Sequence, residues 1–218
     1  MKSIISSLTS KTGLRLAMVG VLASLVSAVS HANDERGKQL YANCVACHQA
    51  DGSGMKLLNA PAIAGLSEKY IANQIQKFKL GHRGGDPKDA TGLQMRPMAT
   101  LLTSEADIAA VSKYIASMEP KPAEATITDG NAERGKTLYA TCQACHQADG
   151  SGNDLLNSPS LLNQHDWYLA AQLHKFKEGV RGSNPQDTTG AQMRPMAMML
   201  TDEQAVKDVV AYIQSLNK

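Results

Sequence analysis

The chain contains two copies of one sequence, and this repeat restricts the fold more than any other feature. Aligned at an offset of 98 residues, residues 33–120 and 131–218 match without a gap and are identical at 48 of 88 positions. Two copies are too few to stack into a solenoid, so each is expected to form a self-contained domain with its own core. Residues 121–130 contain a proline and a terminal glycine and show no sustained apolar period, which predicts an exposed linker.

The first 32 residues are typical of an export signal. Three basic residues precede an apolar run of about 14 residues from Leu16 to Val29, and Ser30-His31-Ala32 supplies small residues, Ser30 and Ala32, at the positions that a signal peptidase reads. The run is shorter than the roughly 20 residues that a bilayer span needs, so a lasting membrane anchor is the weaker interpretation. We expect residues 1–32 to be removed, the mature chain to begin at Asn33, and the protein to reside in the periplasm.

The net charge argues against a nucleic-acid partner, and the low aromatic content suggests that a bound apolar group fills the core. Without residues 1–32, 19 Lys and Arg stand against 20 Asp and Glu, which gives a net charge of −1. A chain without a basic surplus is not expected to bind nucleic acid. Aromatic residues make up only 4% of the chain, so two small domains would have weak cores unless a large apolar group filled them.

Each copy carries three helical patterns. In the first copy these cover residues 35–44, residues 67–81 and a segment that follows Ser104, with apolar side chains at spacings of three and four. In the second copy, Thr201 and Gln204 form a capping-box pattern before the last helix. No stretch alternates as a strand does, so the predicted fold class is all-α. Its loops are long for so small a domain, which is typical of loops that wrap a ligand.

All four cysteines lie in two C-x-x-C-H segments, residues 44–48 and 142–146. This spacing is typical of covalent c-type haem attachment. The thiols would add to the two vinyl groups on one edge of a porphyrin, and the adjoining histidine would become the proximal iron ligand. The sequence therefore predicts two covalently bound haem c groups, attached through Cys44, Cys47, Cys142 and Cys145, with iron bound by His48 and His146.

Three other uses of the motif are less well supported. A disulfide oxidoreductase would place C-x-x-C after a strand in a βαβ pattern, which the sequence lacks. A structural zinc site would need a fourth ligand in each copy. Simple disulfides remain possible in an exported protein, but two complete motifs at equivalent positions favour haem.

Methionine is the natural sixth ligand for iron that cycles between two oxidation states. Each copy has two candidates in the repeated segment QMRPMA, namely Met95 and Met98 in the first and Met193 and Met196 in the second. One of each pair is expected to fill the core instead. No second histidine occurs at the same position in both copies, so histidine ligation on both sides of both irons is excluded.

With these motifs the chain resembles the periplasmic dihaem cytochromes c of the cytochrome c4 type, which consist of two class I cytochrome c domains in tandem. The resemblance covers nearly all of residues 33–218. It rests on the first helix with Gly37 and Tyr41, the two C-x-x-C-H motifs, the proline-bearing segment that begins at Asn59, the methionine segment and a C-terminal helix with Tyr114.

The resemblance assigns roles to further residues. It implies that the first methionine of each pair, Met95 or Met193, is the axial ligand. It also implies that the carbonyls of Pro61 and Pro159 accept a hydrogen bond from the proximal histidine ring, which fixes its tautomer and orientation.

One position differs from the family pattern in the second copy, and one repeated arginine has two possible roles. The glycine after the proline is Gly65 in the first copy and Asn163 in the second, so the loops near the two haems are expected to differ. Arg83 and Arg181 precede the methionines at equivalent positions. They are expected either to pair with haem propionates or to lie solvated on a polar loop.

The resemblance implies an electron carrier and not an enzyme, because iron with both axial positions filled leaves no site for substrate. The implied donor is a quinol-oxidising bc-type complex or a periplasmic dehydrogenase, and the implied acceptor is a haem-copper oxidase or a reductase. Membrane contact is expected only through such partners. The alternatives are a cytochrome subunit of a periplasmic dehydrogenase and a dihaem thiosulfate-oxidising enzyme. Differences around the two haems predict two unequal reduction potentials.

Overall fold

The computed structural model describes residues 34–217, and the expected export signal lies outside them. Within that range no helix is both long and apolar enough to cross a membrane. The all-α class is confirmed, because the described residues form helices and only two isolated bridges, Met55 with Ala60 and Asn153 with Ser158.

Each half contains the same succession of helices. The first half has helical residues 34–41 (α1), Val45–His48 (α2), Glu68–Lys79 (α3), Ala90–Thr100 (α4) and Glu105–Ala116 (α5), with a 3₁₀ turn at Lys56–Leu58. The second half has Ala132–Tyr139 (α6), Gln143–His146 (α7), Asp166–Lys177 (α8), Thr188–Met198 (α9) and Glu203–Ser215 (α10).

The first and last helices of each half cross at a glycine. A Cβ atom on Gly37 would collide with the backbone carbonyl of Ala110 in α5, so only glycine permits the contact between α1 and α5. Beside this crossing, the rings of Tyr41 and Tyr114 lie 5.5 Å apart between centroids. Gly135 takes the same place in the second half, where it lies against α10.

The predicted helix ends are mostly confirmed. The Ser67 side chain accepts a hydrogen bond from the Tyr70 amide at the start of α3, and Gly81, with φ of 73°, follows the C-cap of that helix. The predicted capping box at Thr201 and Gln204 is wrong. Asp202 caps α10 instead, by accepting from the Ala205 amide, because a carboxylate is an equally good cap one residue later.

The methionine segments form helices that the sequence patterns did not predict. Met95 and Met193 lie in α4 and α9, each of which contains an internal proline, Pro97 or Pro195. Proline and glycine within the segment hide the helical period.

The connecting residues 121–130 contain no helix and are mostly exposed, but they are attached to the second half. The backbone amide of Ile127 donates to the Asp166 carboxylate over 2.6 Å, and the Thr126 hydroxyl donates to it over 2.8 Å. The path of the connection is therefore fixed by hydrogen bonds to the first turn of α8.

Candidate functional site

One continuous cavity of about 2570 Å³, its open mouths included, is lined by both halves of the molecule. Its wall holds both C-x-x-C-H segments and both methionine pairs, so the structure brings together the predicted residues Cys44, Cys47, His48, Met95, Met98, Cys142, Cys145, His146, Met193 and Met196. Because the two halves share this cavity, groups bound in it would lie next to each other across the domain contact.

Each proximal histidine is buried and held by the carbonyl that the resemblance indicated. His48 is 5% exposed, and its Nδ1 lies 2.9 Å from the carbonyl oxygen of Pro61. His146 has the same exposure and the same distance to the carbonyl of Pro159. Burial lowers the pKa of both rings, against the effect of the proline carbonyls. The imidazoles are therefore neutral near pH 7, and Nε2 is the nitrogen available to an iron.

Two residues around each histidine were not singled out from the sequence as supports of the site. The Tyr41 hydroxyl donates to the carbonyl of Gln49 over 2.6 Å, which ties α1 to the residue that follows His48. Gly54 has φ of 81°, and a Cβ atom there would lie 2.5 Å from the carbonyl oxygen of Pro61. Tyr139 and Gly152 repeat both arrangements in the second half. Their recurrence in the repeat was the available signal.

No disulfide joins any of the four cysteines, all of which lie among the described residues. Burial is the main cause that raises the pKa of Cys44 to about 11, and burial also raises the pKa of Cys142. A C-x-x-C pair that exchanges disulfides needs a lowered pKa on its attacking thiol. The arrangement therefore does not suit a disulfide oxidoreductase.

Both candidates of each methionine pair line the cavity, and their burial differs only in the second half, since Met95 and Met98 are both partly buried. Met95 is partly buried and packs against the core of the first half. In the second half Met193 is partly buried, whereas Met196 is 36% exposed. Core packing at Met95 and the lower exposure of Met193 favour the first methionine of each pair as the candidate ligand.

Arg83 and Arg181 do not lie solvated on a loop, because each is only 8% exposed. The Arg83 guanidinium lies over the Phe78 ring at 4.5 Å and donates across the domain contact to the Tyr168 hydroxyl over 2.8 Å. Arg181 repeats these contacts with Phe176 and Tyr70. The sequence did not predict that these arginines join the two halves.

The hydrogen-bond partners of both guanidinium groups in the structure are neutral, since the remaining ones are the amide oxygens of Gln74 and Gln172. The buried Nε of Arg181 has no hydrogen-bond partner. Burial would raise the pKa of Tyr168, but the two guanidinium groups hold it below its ordinary value. The charged side chains of this contact therefore sum to a net positive charge, with four cations against two aspartates: Arg83, Arg181, Lys77 and Lys175 against Asp89 and Asp187.

A further contact between the halves lies beside the first histidine. The Gln164 side chain accepts from the Ala62 amide over 3.1 Å and donates to the Ala62 carbonyl over 2.8 Å. Ala62 directly follows Pro61, so the second half holds the loop that supports His48. Leu66 occupies the position equivalent to Gln164 in the first copy and cannot make such bonds for the second site.

These observations fit two haem groups. The cavity is mainly apolar, a neutral imidazole and a thioether reach it in each half, and paired thiols lie at its wall. The positive domain contact with an unpartnered guanidinium nitrogen suits carboxylates such as haem propionates.

Comparison with known proteins agrees with this arrangement. The cytochrome c family model matches residues 35–119 and 132–217. Cytochrome c4 of Azotobacter vinelandii is 32% identical over 215 residues, which cover 92% of this chain and 99% of that protein. The thiosulfate dehydrogenase electron acceptor of Stutzerimonas stutzeri is 30% identical and covers 90% of this chain and 94% of its own.

A solved structure extends the likeness to the fold. Reduced recombinant cytochrome c4 from Pseudomonas stutzeri superposes with a TM-score of 0.67 at 31% identity, over 83% of this chain and 96% of that one. Two matches to one domain model, curated relatives of full length and a shared tandem architecture lead to one assignment. The chain belongs to the cytochrome c family, among the two-domain cytochromes c4, and carries two covalently attached haem c groups.

Proposed function

We propose that this cytochrome is a periplasmic electron carrier that takes up one electron per haem and catalyses no reaction on a substrate. Each haem supplies a one-electron iron couple. The observation that carries the proposal is that each half places a buried neutral histidine and a methionine pair on one shared cavity. His48 with Met95, and His146 with Met193, would close both axial positions and exclude exogenous ligands.

The remaining residues act on these ligands. The carbonyls of Pro61 and Pro159 fix the ring orientation of the histidines and make them stronger donors to iron. Arg83 and Arg181 are assigned to haem propionates, because the domain contact holds more cations than carboxylates. Residues 33–120 and 131–218 would be the two haem domains, residues 121–130 the linker, and residues 1–32 the export signal.

An absorption spectrum with a redox titration tests this function on protein matured with its haems. We expect absorption spectra of low-spin haem and no ready binding of carbon monoxide. Mass spectrometry should give a mass that exceeds that of the polypeptide by two haems. One haem, or a wild type that binds carbon monoxide at once, would contradict the proposal.

The axial methionines are tested by replacement. Met95→Ala and Met193→Ala should each remove the thioether-to-iron charge-transfer band of one haem and lower its potential, since methionine ligation favours ferrous iron. Met98→Ala and Met196→Ala are the matched controls, which should retain both bands. The reverse pattern would assign the second methionine of each pair.

The two haems are expected to have unequal potentials and to exchange electrons through the shared cavity region. The Gln164 contact supports inequality, because it holds the loop behind the first histidine and has no equivalent behind the second. A titration that fits one common potential would contradict this.

The partners are proposed by chemical class. A quinol-oxidising bc-type complex or a periplasmic dehydrogenase would donate electrons, and a haem-copper oxidase or a reductase would accept them.

A second candidate function is to accept electrons from a thiosulfate-oxidising enzyme. It is favoured by the relative that is named as an electron acceptor of thiosulfate dehydrogenase. Mixing the oxidised protein with thiosulfate, with and without a thiosulfate dehydrogenase, separates the roles. Reduction only with the enzyme supports an acceptor, whereas reduction by thiosulfate alone would indicate a dihaem enzyme.

A further inference from the structure

Two ion pairs cross the domain contact, and they repeat with the domains exchanged. Lys77 of α3 places Nζ 2.5 Å from Oδ1 of Asp187, and Lys175 of α8 places Nζ 2.5 Å from Oδ1 of Asp89. Both aspartate side chains are at most 2% exposed, while the lysine side chains are 10% and 19% exposed. Each ammonium also donates to a threonine of the other half, Thr189 or Thr91.

The same two aspartates begin the helices that carry the methionines. Asp89 is the N-cap of α4 and accepts from the Gly92 amide over 3.0 Å, and Asp187 caps α9 through the Gly190 amide over 2.9 Å. A Cβ atom on either glycine would collide with the capping carboxylate, so the carboxylates are tightly enclosed. The ammonium of the opposite half is therefore a structural part of each cap.

Removal of the lysine would change the cap and not only the domain contact. A buried carboxylate without a cation carries a desolvation penalty, and it responds by taking up a proton or turning towards water. Either change weakens its acceptance of the helix amide. Burial alone would raise the pKa of Asp89, but the Lys175 ammonium and the Gly92 amide hold that pKa below its ordinary value.

We propose that Lys77 and Lys175 are positioning residues that act in trans: each stabilises the methionine-bearing helix, and hence the methionine–iron bond, of the other domain. The inference rests on the proposed ligation by Met95 and Met193. It makes the intact state of each haem site depend on docking of the other half. It also distinguishes Lys77 and Lys175 from lysines that only join the halves at the surface.

The test follows each methionine separately by proton NMR of the reduced full-length protein, in which the methyl group of an axial methionine gives its own ring-current-shifted signal. Met95→His and Met193→His each abolish one signal and so assign both. Two signals in the wild type establish the proposed ligation before any lysine is changed, so failure of that step is distinguishable from failure of the inference.

Lys77→Met should move the Met193 signal and lower the temperature at which it disappears by about 5 °C or more, with the Met95 signal retained. Lys175→Met should do the reverse. Lys69→Met is the matched control, because Lys69 also crosses to the other half, bonding the Asp154 carbonyl over 2.7 Å at an exposed site, yet touches no helix cap. It should leave both signals in place.

Asp187→Asn keeps an oxygen acceptor for the Gly190 amide and removes the ion pair, so it provides a second reading if Lys77→Met does not fold. It should also displace the Met193 signal alone. The proposal is overturned if Lys77→Met and Asp187→Asn act on the Met95 signal, act on both signals equally, or match Lys69→Met. Reduction potentials are not the deciding measurement, since loss of a cation at the domain contact would lower the potentials of both haems through space.

Discussion

Single glycines decide how closely the proline-bearing loop approaches each proximal histidine. Gly54 has a backbone conformation that L side chains rarely adopt, and it packs directly against the carbonyl of Pro61. That carbonyl in turn lies 2.9 Å from the His48 ring. The absence of a side chain at position 54 therefore sets the hydrogen bond that makes the imidazole a strong donor to iron.

Gly54→Ala should push the Pro61 carbonyl away from His48 and raise the potential of the first haem, because a less electron-rich imidazole stabilises ferric iron less. Backbone strain should lower the stability by roughly 1–3 kcal/mol. A redox titration with thermal melts of the haem-loaded protein measures both changes. Gly152→Ala is the counterpart and should act on the second haem. If both variants shift the same haem, the local explanation fails.

At the scale of secondary structure, the two residues before α8 link the second half to a loop of the first. Gln164 forms two hydrogen bonds with the Ala62 backbone, and the neighbouring His165 ring contacts the Ser53 carbonyl over 2.8 Å. The loop behind His48 is therefore fixed by both halves. The loop behind His146 has Leu66 and Ser67 at the corresponding positions.

Gln164→Leu gives the second copy the residue that the first copy has at Leu66. It leaves two buried backbone groups of Ala62 without partners, which should cost about 1–3 kcal/mol in unfolding free energy. We expect the potential of the first haem to rise and that of the second to stay constant in a redox titration. Gln76→Leu removes a surface amide bonded to Glu105 and serves as control. An equal shift of both potentials would rule out a one-sided loop effect.

The elements with a clear apolar period were predictable from the sequence, and those with a special backbone were not. The helices that begin at Ser67 and Ser104 have good caps and regular spacing, so their positions follow from local physics. α4 was missed because Pro97 and Gly92 are poor helix residues, and its formation depends on the Asp89 cap and on packing. The histidine ligands could be predicted from the spacing of the C-x-x-C-H motif alone.

For the whole molecule, the contact between the halves was beyond reach of the sequence. Arg83 and Lys77 are residue types usually exposed to solvent, and burying them requires partners that lie 85 and 110 positions away in the sequence. No local sequence pattern predicts which residues of the other half pair with Arg83 and Lys77. The repeat showed that there are two domains but gave no information about how they dock.

The ion pair of Asp89 with Lys175 makes the stability of the folded protein sensitive to acid. The pKa of Asp89 lies below its ordinary value of 3.8 although burial opposes this, mainly because of Lys175, with support from the Gly92 amide and the charge of Arg83. The unfolded chain therefore binds the proton more readily, and the stabilisation present above pH 3.8 is lost as the pH falls towards the folded-state pKa. Thermal melts between pH 6 and about 2 should show this loss. Asp89→Asn should make this loss smaller, because other aspartates with lowered pKa values still contribute to it, whereas the exposed Glu124→Gln should leave the loss unchanged. A pH profile unchanged by Asp89→Asn would contradict the assignment.

Each contact that Lys77 or Arg83 of the first half makes with the second half is repeated by Lys175 or Arg181 of the second half with the first. An isologous dimer with two-fold symmetry repeats its contacts in the same way. A single copy thus carries both members of each pair on one face and is complementary to itself. The tandem chain has the geometry of a homodimer whose subunits were fused by residues 121–130. Once the two copies are joined in one chain, a mutation changes one side of the contact without changing the other. The bonds of Gln164 to Ala62 are such a difference, because in a dimer of identical subunits the same bonds would form beside both haems.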